Sequence, residues 1–493
     1  METREIRVIL TFSVVLFLLT FPYFHLPPFW DGISFISHAI LTPKKHYDLS
    51  FAHYGHPPIF FWIFGSILTI FGYSNIVIHI LMFLFANLII IFTYKVSKIL
   101  FNDVTALSAS LLLLFSPLFI ATTINPNLDL VMTTFIVLSY YFFLKQKFLA
   151  YSIFATFGSM TKETGVLWII TVWISFVISK FPKITYRDGR RNDYLSLFYV
   201  SLPLFITALW GLYNKITFGW YIYPRRHPLL DNTPLLHSGV YKALSQFFLI
   251  NFNWLFSLFI LVFIIKSLHK TKLHIFKKIL IKSVFSEKSI KLLPLLLLFL
   301  LYLLVIVPID DFKLPRYSII LYPFFFIIVS FSLTKIFRLA QNVFLVIGAF
   351  LILLFIQNIS VIDPIMLSFY KPNLDTGSEL EYNMEFTKYV WLEVQGFKYL
   401  KNNINGRTIL FDWWNPLHAI ESAKNHKGID FGYGFNSSWK FKWVREFRKN
   451  TTYVYFTHKL NNDYEFLKQM CNLSLEFSSK LDDKGIWIYN VEC

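Results

Sequence analysis

Long apolar segments separated by short polar ones dominate this 493-residue chain and restrict what it can fold into. A helix needs about 20 consecutive apolar residues to cross a bilayer. About eleven segments approach that length, two of them short, at about residues 6–24, 74–94, 103–122, 128–144, 148–161, 164–179, 194–212, 246–265, 292–309, 316–333 and 342–361. With 55% hydrophobic residues and a mean hydropathy of +0.53, the pattern predicts a polytopic α-helical membrane protein.

The first apolar segment has no small-residue cleavage site and is followed by Pro27 and Pro28, which predicts a retained helix and not a removed signal peptide. A first loop then extends over about residues 25–73. Within it the run Ile59–Phe71 is too short to span and rich in Phe and Trp. We therefore expect interfacial helices in this loop.

Basic residues give the chain a formal net charge of +17, and most of them lie between apolar segments. No basic run accompanies a nucleic-acid-binding motif, so anionic membrane lipids are the expected partner and nucleic acid is not. Lysine and arginine concentrate in loops such as 180–191 and 266–291. By the positive-inside rule these loops and the N-terminus are cytoplasmic.

Four polar interruptions then share the extracytoplasmic face: the first loop, "INPNLD" (124–129), "SMTKETG" (159–165) and "DDFKLPRY" (310–317). An ionised side chain near the hydrocarbon costs about 2.5 to 3.5 kcal/mol on insertion scales, so this clustering predicts a polar cavity at the membrane boundary.

Each interruption also has a plainer interpretation. Asp31 suits a solvated loop, and Asp129 suits the first turn of a helix started by Asn125 and Pro126. Lys162 and Glu163 suit an interfacial ion pair, and Arg316 with Tyr317 suits an interfacial anchor. The first loop also holds four histidines, whose spacing favours a structural or acceptor-binding role over a zinc site: His38, His46, His53 and His56. No metal site is predicted.

The ordered set of motifs resembles one family. Trp30-Asp31 after the first helix, "HYGHPPIFFWIFGSILTIFGYS", "NPNLD", "TKETG" and "FKLPRYSIILYPFFF" follow one another over about residues 1–335. Together they are similar to the membrane glycosyltransferases of the C-type fold, in the superfamily of dolichyl-phosphate-mannose protein mannosyltransferases and lipid A aminoarabinose transferases. In many relatives a second acidic residue follows the first, whereas here Gly32 follows Asp31.

The resemblance implies transfer of a sugar from a polyprenyl phosphate to a lipid, glycan or protein acceptor outside the cytoplasm. It implies Asp31 as the general base and an in-line attack with inversion. The donor itself is the activated substrate, so no cofactor is required, and a divalent metal is not indicated. The remaining candidates for substrate binding are His53, His56, Asp129, Lys162, Glu163, Lys313, Arg316 and Tyr317, with Arg316 first for the phosphate because its fork holds two oxygens.

Two other functions remain open. A transporter or flippase without covalent chemistry would more often show half-repeats with broken helices near the midplane. A transferase for a diphosphate-linked oligosaccharide would more often need a divalent metal.

A longer loop, 213–246, carries Arg225 and Arg226 and is interpreted as a lid or acceptor-side loop.

After about residue 361 the composition changes, which divides the chain into a membrane domain, 1–361, and a small extracytoplasmic α/β domain, 362–493. Short strands are predicted at "RTILFDW", "TYVYFT", "LSLEF" and "GIWIYNV", and helices at "YVWLEVQGFKYLKNN" and "NNDYEFLKQM". The chain's two cysteines, Cys471 and Cys493, both lie here. A disulfide and two free thiols are both open from the sequence.

Overall fold

The computed structural model describes residues 3–29, 31–49, 56–186, 191–221, 244, 247–270, 287–306, 315–337, 339–369, 384–403, 408–411, 430–432, 451–457, 468–469, 471–481 and 484–492. The α-helices in these ranges are α1 Thr3–Thr20, α2 Asp31–Lys44, α3 Ile59–Phe71, α4 Asn75–Leu100, α5 Asp103–Phe115, α6 Pro117–Ile124, α7 Leu128–Leu144, α8 Phe148–Ser159, α9 Val166–Tyr186, α10 Arg191–Phe218, α11 Asn253–Lys270, α12 Glu287–Ile306, α13 Tyr322–Ile336, α14 Ala340–Ile359, α15 Pro364–Phe369 and α16 Thr387–Asn403.

Helices occupy all the apolar segments expected to span the bilayer. Five stretches of the described chain are long and apolar enough to cross a membrane, and the bent pair α5 and α6 raises this to as many as six. The other predicted segments correspond to shorter apolar helices. The chain is an integral membrane protein, while the number of spans stays a prediction.

The segment 103–122 was expected to form one helix, and this is wrong. It breaks between α5 and α6, with a bend of 58°. Ser116 at the break has an extended ψ of 124°, as expected before Pro117, whose ring disfavours helical backbone at the preceding residue and removes an N–H. The side-chain amide of Asn358 donates to the freed Phe115 carbonyl at 2.8 Å.

The segment expected at 246–265 also differs, because α11 begins only at Asn253. Asn251 and Phe252 have positive φ values of 56° and 63°, which a right-handed helix does not allow. The buried carboxylate of Asp363 stabilises this turn by accepting from the Phe252 N–H at 2.7 Å.

The centre of the membrane domain is α7, which together with α6 is buried on almost every face. Helices α4 and α8 pack around it, together with the 3-10 turn Pro315–Leu321 that precedes α13. In the first loop, α2 packs along α3, which buries Phe60, Phe61 and Phe64 and exposes Ile70 and Phe71 at its end. An apolar helix end of this kind suits contact with lipid, as expected for an interfacial helix.

The C-terminal region is an α/β fold, as predicted. Its five-stranded sheet has the order β2-β1-β3-β5-β4, with β2, β1 and β3 parallel and β5 antiparallel to both β3 and β4. The strands are β1 Thr408–Phe411, β2 Asp430–Gly432, β3 Thr451–Thr457, β4 Asn472–Leu481 and β5 Lys484–Glu492. Strand β2 was not expected from the sequence, and the helix expected at "NNDYEFLKQM" lies almost entirely outside the described residues. The domain boundary itself stays a prediction.

Cys471 is disulfide-bonded. The only other cysteine in the chain is Cys493, which lies outside the described residues. The antiparallel register pairs Asn472, directly after Cys471, with Glu492. The free-thiol alternative is therefore wrong for Cys471.

Candidate functional site

Polar segments that are far apart in the sequence meet at one end of the helical bundle. The first turn of α2 contributes Asp31, the first turn of α7 contributes Asp129, and the turn after α8 contributes Lys162. A 3-10 turn before α13, Pro315–Leu321, contributes Arg316. The clustering expected from the sequence is therefore present in the fold.

Asp129 and Lys162 form a buried ion pair within this cluster. The distance from Lys162 Nζ to Asp129 Oδ1 is 2.6 Å, and the two side chains are 6% and 3% exposed. Asp129 does lie in the first turn of α7, but the helix cap is Asn127, whose side chain accepts from the Leu130 N–H. The plainer interpretation named Asn125 as the start of this helix, and that is wrong. In this low-polarity position each charge requires the other.

Arg316 lies between the two carboxylates. Its Nη2 donates to Asp31 Oδ2, and its Nε is 3.7 Å from Asp129 Oδ2. The Arg316 side chain is only 3% exposed, whereas that of Asp31 is 40% exposed. Asp31 is therefore the member of the cluster that an incoming molecule reaches first.

Tyr317 forms a wall of the cluster. Lys162 Nζ lies 3.9 Å from the centre of its ring, and the guanidinium carbon of Arg316 lies 5.6 Å from it, so both cations meet the negative face of the ring. The hydroxyl of Tyr302, on α12, donates to the Tyr317 backbone carbonyl. The 3-10 turn that carries Arg316 is thereby joined to α12.

A second polar pair lies next to Lys162. His56 Nδ1 is 2.9 Å from Glu163 Oε2, with the side chains 12% and 20% exposed. Three residues on, the Ile59 N–H donates to the Met160 carbonyl at 2.9 Å. The His-Pro-Pro segment and the Thr-Lys-Glu-Thr-Gly segment are thus in direct contact.

The start of α2 is packed tightly against the turn before α7. A Cβ atom added at Gly32 would lie 2.5 Å from Asn125 Oδ1 and 2.8 Å from the Pro126 carbonyl oxygen. Real Cβ atoms essentially never approach other atoms this closely. A side chain at Gly32, including that of a second acidic residue after Asp31, would therefore require the start of α2 or the Asn125–Pro126 turn to move.

Two of the sequence-predicted site residues, His53 and Lys313, lie outside the described residues, as do Arg225 and Arg226. His38 lies on α2 with Nδ1 3.0 Å from the Ser34 carbonyl oxygen, and burial lowers its pKa. His46 is exposed. No group of three or more His, Cys, Asp or Glu side chains in the described ranges is arranged to hold a metal ion.

Sequence reasoning missed the contributions of Tyr302 and Asn125. Tyr302 stands alone in the leucine-rich run "LLPLLLLFLLYLLVI", and a single polar aromatic in such a run was an available signal. Asn125 was interpreted as a helix start. Its side chain instead accepts from the Phe29 N–H, 96 residues away in the sequence, which no local pattern reveals.

Comparison with known proteins agrees with this architecture. Residues 55–210 match the family described as dolichyl-phosphate-mannose-protein mannosyltransferase. No curated protein matches the chain. The crystal structure of ArnT from Cupriavidus metallidurans bound to undecaprenyl phosphate has a TM-score of 0.57 at 11% identity, covering 99% of this chain and 98% of that one. The apo structure of the same protein has a TM-score of 0.58 at 12% identity, covering 98% and 97%.

At this level of identity the two crystal structures establish a shared fold over nearly the full length of both chains. The chain therefore has the C-type fold of membrane glycosyltransferases. The family match over residues 55–210 confirms the resemblance to the dolichyl-phosphate-mannose protein mannosyltransferases for the part of the chain that it covers.

Proposed function

We propose that this protein is a glycosyltransferase that moves a hexose or pentose from a polyprenyl-phosphate-linked donor to an extracytoplasmic lipid, glycan or protein acceptor, with inversion. One observation carries the proposal: Asp31, Arg316, Asp129 and Lys162 form a linked cluster in which a partly exposed carboxylate is backed by a buried guanidinium. The family match and the shared fold with ArnT, which was crystallised bound to undecaprenyl phosphate, support this choice of donor.

The reaction needs a base at the acceptor and positive charge at the leaving phosphate. In our proposal Asp31 removes the acceptor hydroxyl proton as the oxygen attacks the anomeric carbon. The bond from that carbon to the phosphate oxygen breaks, and its electron pair leaves with the polyprenyl phosphate. Asp31 thus loses a negative charge while the phosphate gains one.

Arg316 is well suited to this exchange. It faces Asp31 before the reaction, and a guanidinium offers five N–H donors in a planar fork, enough to serve a carboxylate and a phosphate together. Proton transfer neutralises Asp31, whose negative charge then no longer offsets the positive potential of Arg316 at the phosphate. Because the pairing with phosphate strengthens as charge develops, the interaction favours the transition state over the ground state.

Asp129 and Lys162 play a supporting part in this proposal. Their ion pair holds one carboxylate near Nε of Arg316 and one cation against Tyr317, while Asp31 accepts from Nη2 of the same guanidinium. His56 and Glu163, together with His53 and Lys313, remain candidates for binding the sugar or the acceptor.

The test is incubation of the purified protein with a panel of polyprenyl-phosphate sugars and diphosphate-linked oligosaccharides, measuring the release of free polyprenyl phosphate or diphosphate in the presence of candidate acceptors. Release from one donor, dependent on Asp31, supports the transferase. A folded sample that binds polyprenyl-phosphate sugars and releases nothing from any of them contradicts it and favours a transporter or flippase. Release only from diphosphate-linked donors favours the oligosaccharide transferase.

A further inference from the structure

Asn125, the residue before Pro126, makes a contact that has no role in the reaction proposed above. Asn125 is the C-cap of α6 and is buried, at 2% exposure. Its side-chain oxygen accepts from the Phe29 N–H at 3.0 Å, and the Phe29 carbonyl accepts from the Gly32 N–H at 2.9 Å. The two hydrogen bonds enclose the short stretch in which Asp31 stands.

From these contacts we propose that Asn125 is a positioning residue for Asp31, and that Gly32 is the glycine this contact requires. The inference rests on the proposed function, in which Asp31 is the base. Asn125 does not touch the substrate in this proposal. It acts through the first turn of α2, whose distance from the rest of the cluster it determines.

The close approach at Gly32 makes the contact specific. Asn125 Oδ1 lies 2.5 Å, and Pro126 Cγ 3.2 Å, from where a Cβ would stand at Gly32. A larger residue there would move α2 away from Asn125 and carry Asp31 away from Arg316. The absence of a side chain thus lets the helix start lie against the turn.

The same turn also determines the position of the second carboxylate. Asn127 donates to the Asn125 carbonyl at 2.7 Å and accepts from the Leu130 N–H at 2.8 Å, which fixes the first turn of α7 and Asp129 within it. Two asparagines on one turn therefore contact the two segments whose carboxylates pair with Arg316. Loss of the Asn125 side chain would disturb Asp31 and leave the Asp129–Lys162 pair in place.

The experiment compares Asn125→Ala with Asn125→Ser in the full-length protein. The alanine variant loses the acceptor for the Phe29 N–H, and we expect kcat to fall about tenfold while the donor KM changes less than about twofold. The serine variant keeps a neutral acceptor oxygen on the same side chain, so its kcat should fall clearly less than that of Asn125→Ala. Equal losses in the two variants, or a wild-type kcat in the alanine variant, would overturn the proposal.

Matched controls come from the same chain. Asn75, the first residue of α4, donates to the His25 carbonyl at 3.0 Å in an exposed hydrogen bond, so Asn75→Ala should leave kcat unchanged. Gly32→Ala should lower kcat as Asn125→Ala does, whereas Gly348→Ala should be silent because a Cβ there meets nothing within 4 Å. A silent Gly32→Ala contradicts the close contact.

Hydrogen exchange separates this proposal from the proposed function. We expect the peptide covering residues 26–36 to exchange faster in Asn125→Ala than in the wild type, whatever the protein catalyses. Unchanged exchange overturns the contact itself. A wild-type protein that transfers no sugar, with faster exchange in the variant, instead overturns the proposed function and leaves the contact standing.

Discussion

Asp129 and Lys162 are 33 residues apart in the sequence and form an ion pair of 2.6 Å inside the helical bundle. Removing one partner of a buried pair leaves an uncompensated charge and typically costs about 3 to 5 kcal/mol. We therefore expect Lys162→Met to lower the free energy of unfolding by about that amount, measured by denaturant titration in mixed micelles.

Two further variants make that result specific. Adding Asp129→Asn to Lys162→Met removes the remaining charge and should recover much of the lost stability. The exposed pair Lys98–Asp103, with side chains 35% and 56% exposed, is the control. Lys98→Met should cost less than about 1 kcal/mol. Equal losses from Lys162→Met and Lys98→Met would contradict a buried pair.

Asp31→Asn tests the base directly. The amide has nearly the shape of the carboxylate but cannot accept the acceptor proton, so turnover should fall by about 10² to 10⁴. The donor affinity should change much less, because Arg316 and Lys162 are retained. Turnover and donor binding are measured on the same preparation, and near-normal turnover would remove Asp31 from the base role.

Arg316→Lys asks whether the guanidinium matters beyond its charge. Lysine keeps the positive charge but loses the planar fork that faces both Asp31 and Asp129, so we expect turnover to fall at least about tenfold. Arg7→Lys, at an exposed position on α1, makes the same exchange away from the site and should be silent. If Arg316 were only an interfacial anchor, Arg316→Lys would also leave turnover unchanged, because lysine reaches the interface about as well as arginine.

Tyr302→Phe removes one hydroxyl beneath the turn that carries Arg316. We expect turnover to fall about fivefold or more, because a half-buried carbonyl at Tyr317 loses a donor and the turn is less firmly held. Tyr140 makes a comparable contact, donating to the Lys291 carbonyl away from the cluster. If Tyr140→Phe lowers turnover as much as Tyr302→Phe, the effect is one of general packing.

The disulfide at Cys471 predicts no reactive thiol in the denatured, unreduced protein and two after reduction. Thiol labelling followed by mass measurement gives the count. Closing the loop between Cys471 and Cys493 stabilises a domain by about 3 kcal/mol in the chain-entropy model. Reduction should therefore lower the unfolding temperature of the C-terminal domain. Two reactive thiols before reduction would contradict the bridge.

Hydropathy located the apolar helices, apart from the late start of α11, because each coincides with a run of apolar residues. It did not show the break at Ser116, although Pro117 was visible, since a proline after an apolar run is also compatible with a mild kink. The short strand Asp430–Gly432 was missed because three residues carry no alternation to detect.

The composition of the cluster was also predictable, because buried charges in a membrane protein are few and each needs a reason. Which of these charged side chains pair with one another was not predictable. Arg316 was expected to face a phosphate, and only the three-dimensional structure shows that two carboxylates flank it. Gly32 was visible as a departure from the family pattern, but its cause lies in a turn about a hundred residues further along the chain.

The break between α5 and α6 has a consequence for depth. A helix rises about 1.5 Å per residue, so the eight residues of α6 would add ~12 Å if they continued straight, and a bend of 58° leaves roughly half of that along the α5 axis. Asn125 and the turn after it therefore lie several ångströms nearer to α5, measured along its axis, than an unbroken helix would place them. Behind the partly exposed Asp31, the side chains of Arg316, Asp129 and Lys162 are almost fully buried, so we expect activated sugar held against them to be lost to hydrolysis only slowly.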